Sequence, residues 1–574
     1  MTHQPRFSDL RFDPPTRETL SAAHAGLDRA LSAALAAGPE NDPARRAALA
    51  ALLERFDSAR RGFESWASLV HLRFAQDTTD AGARADRDLA DQLNPEAARH
   101  ETALKKRLLS EVGRQELTGL LGRHAVRLWE SDVTIFDPAI ASDLEAEARL
   151  SARYTELLAS ARLRVGEAET NLAGLAPFAE ALDRDTRFAA ENARWGFFER
   201  NAAELDSLFG ELVALRTRMA RTLGFDTYTA LGYRRMRRVD YGPAEVASFR
   251  EEVVAHVVPL MARLLEERRA AQGWDRLRSW DEGLIDPAGN PRPVGDHDTL
   301  VERATTMFDR LDGEMGGFYR AMLDGGFLDL RNRDGKAGGG FCTSFPVQGM
   351  PFIFANFNGT HNDIGVFTHE MGHAFQNWKS RQQPGIDLLW PTMDAAEINS
   401  MGLEFLCWPE MELLVGDENG DRYRRMHLIG SLAFLPYGVC VDHFQHEIYA
   451  HPEMSPAERH ECWQRLEKRY MPWRDWGPLA HPAKGGRWQA QPHIYRSPFY
   501  YIDYTLALCC ALQFWLRARH DRPAAMHDYV ALCGRGGSMP FTDLVASAGL
   551  ASPFTRGTLS LVVKEAARFL DGEA

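Results

Sequence analysis

The stretch Thr368-His369-Glu370-Met371-Gly372-His373-Ala374 decides how the rest of this 574-residue chain is read. On an α-helix, residues four apart share a face, so His369 and His373 can turn two imidazoles toward one metal ion. Glu370 follows His369 by about 100° of rotation and can reach a water bound to that ion. Two imidazoles leave such a site incomplete, because catalytic zinc takes three protein ligands and keeps a further position for water. The third ligand is sought downstream, in Asp394-Ala395-Ala396-Glu397-Ile398-Asn399-Ser400-Met401-Gly402-Leu403-Glu404, which reads as a second helix. Its carboxylates at 394, 397 and 404 fall near one face. Glu397 is the candidate ligand. Asp394, one turn earlier, is the candidate acceptor for the free ring N–H of a ligand histidine. The bland alternative is a surface helix with two solvated histidines. It conflicts with the apolar Phe367, Met371, Ala374 and Phe375 that surround them.

Just upstream the texture changes. Phe327-Leu328-Asp329-Leu330, Gly340-Phe341-Cys342-Thr343-Ser344-Phe345 and Phe352 to Phe357 read as short strands, with Asp334-Gly335 in a turn. The edge of a small sheet beside the zinc helix could pair with an extended peptide through main-chain hydrogen bonds. Far downstream, a loop from Trp473 to Trp488 holds Pro478, Pro482 and Gly485-Gly486. It leads into His493 and the cluster Tyr500, Tyr501 and Tyr504. Tyrosine O–H and histidine N–H groups can donate to an oxyanion, and the same aromatics could equally be packing residues at the start of a core helix.

These segments together resemble the thimet oligopeptidase and oligoendopeptidase F family of zinc metallopeptidases, and most nearly its oligoendopeptidase F and Pz-peptidase branch. The resemblance rests on Gly338-Gly339-Gly340-Phe341-Cys342, then Pro351 to Thr360, the zinc helix, Glu397-x-x-Ser400-x-x-x-Glu404, and His493 followed by Phe499-Tyr500-Tyr501-Ile502-Asp503-Tyr504. It runs from about Arg187 to near the C-terminus and more weakly through the N-terminal helices. It implies one zinc ion held by His369, His373 and Glu397, with Glu370 as general base. It also implies Tyr501 and Tyr504 on a substrate- and oxyanion-binding loop. Oligopeptide substrates enclosed by helices follow from the same resemblance.

From Arg17 to about Asp183 apolar residues recur at three and four, as in Leu20, Ala23, Leu27, Leu31 and Leu35. Long helices are predicted, broken near Gly38-Pro39, Asn94-Pro95, Asp137-Pro138 and Pro177. Another helical pattern spans Asp185 to Leu223 and stops at Gly224. The predicted fold is mainly α, a large two-lobed helical structure with a small antiparallel sheet beside the zinc helix. Residues 1–184 would form one wall of a cleft, and 185–574 would carry the catalytic region.

Composition narrows the function. A net charge of -13, with 45% hydrophobic and 26% charged residues, suits a soluble globular chain and leaves no basic face for nucleic acid. The apolar runs Leu428 to Val441 and Tyr504 to Leu516 are too short to span a bilayer, so no membrane partner is expected. The N-terminus lacks the apolar core of a signal peptide, and the seven cysteines form no CxxC pair. A reducing cytoplasm is the expected compartment. Cys342 alone lies beside the candidate site, where a redox-sensitive thiol is the alternative to simple packing. The expected activity is zinc-dependent cleavage of internal bonds in oligopeptides. The rivals are a zinc carboxypeptidase and a non-catalytic peptide-binding protein of the same fold.

Overall fold

The computed structural model describes residues 5–40, 42–333 and 335–573. Helices dominate, as the periodicity predicts. The N-terminal helices Arg17–Ala36, Pro43–Gln76 and Ala81–Arg107 pack around Leu31, Leu49, Leu52, Phe56 and Leu104. Asp42 and Asp80 cap the second and third by accepting backbone N–H groups of their first turns. The expected break at Asn94-Pro95 is absent: Pro95 lies inside Ala81–Arg107. Burial of Ala90 and Leu93 in one cluster with Trp66 and Val70 holds that helix across the lost hydrogen bond. An unforeseen antiparallel hairpin pairs Leu163–Val165 with Ala168–Thr170 around Gly166 at φ 59°. The pattern from Asp185 to Leu223 divides into Arg184–Arg200 and Ala202–Thr222, because the Asn201 side chain donates back to Phe197 O at 2.8 Å. Gly224 ends the second helix at φ 82°, as expected.

The sheet beside the site differs from the prediction in one respect. Its central strand is Met350–Phe357, parallel to Leu328–Arg331 and antiparallel to Phe341–Phe345. The sheet is therefore mixed, and Phe341–Phe345 forms one of its edges. Met350 to Ala355 are buried without interruption, the mark of a strand covered on both faces. Asp334 of the predicted turn lies outside the described residues.

Behind the sheet the main core holds the helices His361–Ser380, Met393–Leu406, Gly420–Ala450 and Tyr501–His520. Pro436 lies inside the third of these. Gly438 faces Thr505, whose Cγ2 would lie 2.3 Å from any Cβ added there, so the third and fourth helices cross closely. No described helix is long and apolar enough to cross a membrane.

Candidate metal centre and active site

The His361–Ser380 helix starts where the central strand ends. The buried Asp363 carboxylate accepts from the backbone N–H of Asn358 at 2.9 and 3.0 Å and of Gly359 at 2.6 Å, which fixes the strand-to-helix turn. Further along, Gly372 lets the Met393–Leu406 helix come close. A Cβ there would lie 2.5 Å from Asn399 O and 2.6 Å from Ser400 Cα. The middle of His369-Glu370-Met371-Gly372-His373 is thus a crossing point as well as a spacer, and the crossing sets Glu397 opposite both histidines.

Glu397 Oε2 lies 3.1 Å from His369 Nε2 and 3.4 Å from His373 Nε2. One ligand atom from each of the three residues falls within 4.8 Å of the others. A tetrahedral zinc with bonds of about 2.0–2.2 Å separates its ligand atoms by roughly 3.3–3.6 Å, so donor set and spacing fit that ion. Ser400 Oγ donates to Glu397 Oε2 at 2.8 Å, and Tyr500 OH donates to Oε1 at 2.5 Å. Burial raises the Glu397 pKa, but the His373 and His369 imidazoles outweigh it and hold the group well below the usual carboxylate range.

The orientation of His369 comes from behind. Its Nδ1 is 2.8 Å from Glu404 Oε1, and Glu404 Oε2 is 2.9 Å from His427 Nε2. Trp408 Nε1 donates to His427 Nδ1 at 3.1 Å, so His427 presents Nε2–H to Glu404. His369 then donates from Nδ1 and leaves its Nε2 lone pair toward Glu397 and the metal position.

This corrects the assignment of Asp394. Its carboxylate accepts from Tyr241 OH at 2.6 Å, Thr392 Oγ1 at 2.5 Å and the Ala395 N–H at 2.8 Å, and it orients neither histidine. The reason is helical phase. Seven residues are nearly two whole turns, which stacks Glu404 under Glu397, whereas Asp394 belongs to the N-terminal end of the helix. His373 Nδ1 is buried without a hydrogen-bond partner.

Glu370 is 7% exposed, and its Oε2 is buried with no partner. Burial raises its pKa above the ordinary glutamate value, against the pull of His369 and His373. Gly340, at the head of the edge strand, lies against it. A Cβ there would be 3.7 Å from Glu370 Oε1 and 2.8 Å from Val366 Cγ1. Cys342 is partly exposed on the same strand. Burial and then the Glu370 carboxylate push its thiol pKa well up, which keeps it protonated and agrees with the packing reading.

The aromatic segment forms a facing wall. Phe499 takes φ 66°, an unfavourable value for a bulky residue. Three anchors hold it there. Its carbonyl accepts from Arg238 Nη2 at 2.5 Å, its N–H donates to Gln445 Oε1 at 2.8 Å, and its ring fills the space over Gly232. Arg238 also bonds Asp503 at 2.5 Å. The resulting turn aims Tyr500, not Tyr501, at Glu397. Tyr504 is close enough to feel the Glu397 and Glu370 charges, while the Tyr501 ring packs against Phe434 and Tyr437. His493 lies among the three tyrosines, with ring centroids 4.9–5.9 Å away. Gln491 Nε2 donates to its Nδ1 at 2.7 Å, which leaves Nε2–H free to donate. Burial pushes the His493 pKa down to about 4, so the ring is neutral near pH 7.

With this geometry in view, comparison with known proteins assigns the family. The family model described as Peptidase family M3 matches residues 178–283 and 308–562, and the one described as Peptidase M3 N-terminal domain matches 7–136. The chain belongs to peptidase family M3. Within family M3 it falls in the oligoendopeptidase F and Pz-peptidase branch. A solved Pz peptidase A with an inhibitor is 39% identical at TM-score 0.93, covering 99% of both chains. An oligoendopeptidase F from Enterococcus faecium shares the fold at TM-score 0.63 and 15% identity, over 97% of each chain. A chromosomal oligoendopeptidase F from Lactococcus lactis subsp. cremoris is 23% identical over 321 residues, which is 54% of this chain and 51% of that protein. The chain thus spans about half the length of the curated relatives it matches.

Sequence reasoning named Tyr500 and Glu404 without their contacts to Glu397 and His369, and it missed His427 and Arg238. The seven-residue step from Glu397 to Glu404 was a usable signal for the Glu404 contact. Nothing local in sequence announces Arg238.

Proposed function

We propose that this chain is a zinc-dependent metalloendopeptidase that hydrolyses internal peptide bonds of oligopeptides. One observation carries the reading: a His369, His373 and Glu397 cluster with zinc spacing, next to a buried Glu370 oxygen that has no partner. His369, His373 and Glu397 would hold zinc, which when bound would supply Lewis-acid chemistry and lower the pKa of water. Glu370 would take a proton from the attacking water as general base and return it to the leaving amine. Its raised pKa suits both halves of the task. The Phe341–Phe345 edge holds an extended peptide by main-chain hydrogen bonds. Tyr504, His493 and Tyr501 are the candidate donors to the oxyanion, with Tyr501 the outlying member. Glu404 and His427 keep His369 in the ligating tautomer.

Residues 1–184 form one wall of the substrate cleft in this reading, and 185–574 carry the chemistry. The seven cysteines are all free in the structure, which suits the reducing cytoplasm proposed as the compartment.

The test is cleavage of an internally quenched peptide, blocked at both ends, by the parent and by Glu370→Gln, with zinc content measured on both. Cleavage by the parent, with a kcat loss of about 10²–10⁴ in a variant that keeps its zinc, is the expected result. A zinc-loaded parent that cuts only peptides with a free C-terminus would move the reading to a carboxypeptidase. One that binds peptides and cuts none would move it to a binding protein.

A further inference from the structure

Beyond the tyrosines the aromatic wall continues to a cation that no residue neutralises. The His493 ring meets Tyr501 at 4.9 Å, and Tyr501 meets Tyr437 at 5.8 Å. The Arg487 guanidinium then stacks over Tyr437 at 4.7 Å and over Trp195 at 5.5 Å. His493, Tyr501, Tyr437 and Arg487 are all partly exposed, although Tyr437 and Tyr501 lie deep among surrounding atoms. Their chain of contacts begins at Tyr500, which donates to Glu397, so Arg487 stands at the far end of an unbroken run of side chains from the candidate active site.

Among the described residues Arg487 makes no ion pair and no side-chain hydrogen bond. Its neighbour Arg474 shows what the fold does with a cation it means to neutralise. That guanidinium is paired with Glu282 at 2.5 Å and with Glu467 at 3.5 Å. The two arginines act on the same Tyr437 hydroxyl, and only one is satisfied. The whole chain carries a net charge of -13, so an unpaired cation beside this wall gives an anion a local attraction that the average charge does not. Contact with two aromatic rings restrains the guanidinium without using any of its N–H donors, which stay available to a ligand. A planar fork of donors matches a carboxylate, which it can bind bidentately.

We propose that Arg487 is an anion subsite of the cleft that binds a substrate carboxylate away from the scissile bond. This rests on the peptidase reading above. The carboxylate can come from the peptide C-terminus or from an acidic side chain, and both present the same two oxygens.

Two series of internally quenched peptides separate these sources. One pairs a free C-terminal carboxylate with its amide, and the other pairs Glu with Gln at successive positions. The zinc-loaded parent is expected to favour the carboxylate member of one series by about 10- to 100-fold in kcat/KM. Arg487→Gln should bring that ratio close to one, and Arg487→Lys should keep part of it. The series that responds identifies the source. If Arg487→Gln slows both members alike and leaves the ratio unchanged, or if the parent shows no preference in either series, the subsite is refuted. Peptide binding to Glu370→Gln, with and without Arg487→Gln, reads the same ratio without turnover. If the parent cuts no peptide, a carboxylate preference in binding that Arg487→Gln abolishes still upholds the subsite while the peptidase reading falls.

Discussion

The helix crossing that holds His369, His373 and Glu397 is fixed by residues within about two turns of the ligands, whereas the tyrosine wall opposite is fixed from far away in sequence. On the crossing side, Gly372, Ser400 and Glu404 all belong to the two helices that carry the ligands. On the wall side, Arg238 reaches Phe499 across 261 positions, and the glycine under the Phe499 ring is Gly232. A site can thus pair one half that is specified locally with one that exists only after segments as distant as Gly232 to Arg238 and Phe499 to Asp503 have assembled. The metal side is set by close backbone contact. The donor side is set by a strained residue that the surrounding fold restrains.

The sharpest way to break the comparison is at Gly372. Gly372→Val places side-chain atoms against the Asn399 and Ser400 backbone, where neither neighbour can turn aside. It should cost about 1–3 kcal/mol or more of stability and remove zinc from the purified protein. Elemental analysis and thermal unfolding read both effects. A Gly372→Val protein with full zinc and parental Tm would mean that the crossing is looser than its contacts require.

A smaller effect tests the correction within the second helix. Glu404→Gln should weaken zinc binding by about 10- to 100-fold, because an uncharged amide has one acceptor oxygen and cannot serve both His369 and His427 as the carboxylate does. Asp394→Asn should leave zinc affinity near the parental value, since its partners are Tyr241 and Thr392. Chelator competition measures both. Equal losses would return Asp394 to the metal side.

These contrasts explain what could be read from sequence. Spacing of four residues and a downstream carboxylate were sufficient to anticipate that His369, His373 and Glu397 cluster, because side chains on helices repeat with a known period. The helical fold was legible for the same reason. The strand order was not, since nothing in Met350–Phe357 says which neighbour runs parallel to it. Pro95 misled because a local rule was overridden by burial of Ala90 and Leu93. Tyr500 was passed over for Tyr501 because the choice depends on one backbone angle at Phe499, and that angle is imposed by Arg238 and Gln445.

The wall has its own, weaker, handle. Arg238→Lys keeps a buried cation for Asp503 but cannot also hold the Phe499 carbonyl as the guanidinium does. Zinc content should stay at the parental level while kcat falls by about tenfold, less than the 10²–10³ that loss of a full oxyanion donor costs. A loss of zinc in this variant would join the two halves of the site that the structure keeps apart.

The smallest effect is a pH dependence that marks the wall alone. Without a metal, the Glu397 and Glu404 carboxylates outweigh the burial of His369 and hold its pKa well above 6.5, and a bound metal would displace that proton. His493 gains no carboxylate within bonding distance, and burial pushes it from 6.5 down to about 4. Between those values the unfolded chain binds a proton at residue 493 that the folded chain does not. The His493 contribution to stability is therefore complete above pH 6.5 and is lost as the pH falls toward 4. Its slope is at most about 1.4 kcal/mol per pH unit. Thermal unfolding of the parent and of His493→Gln at matched zinc, from pH 7 to pH 4.5, isolates it as the difference between two curves. The difference should grow toward acid, with the parent losing stability faster. Parallel curves would mean that His493 is hydrated and ordinary, and the tyrosines around it would then form a wetter wall than their packing requires.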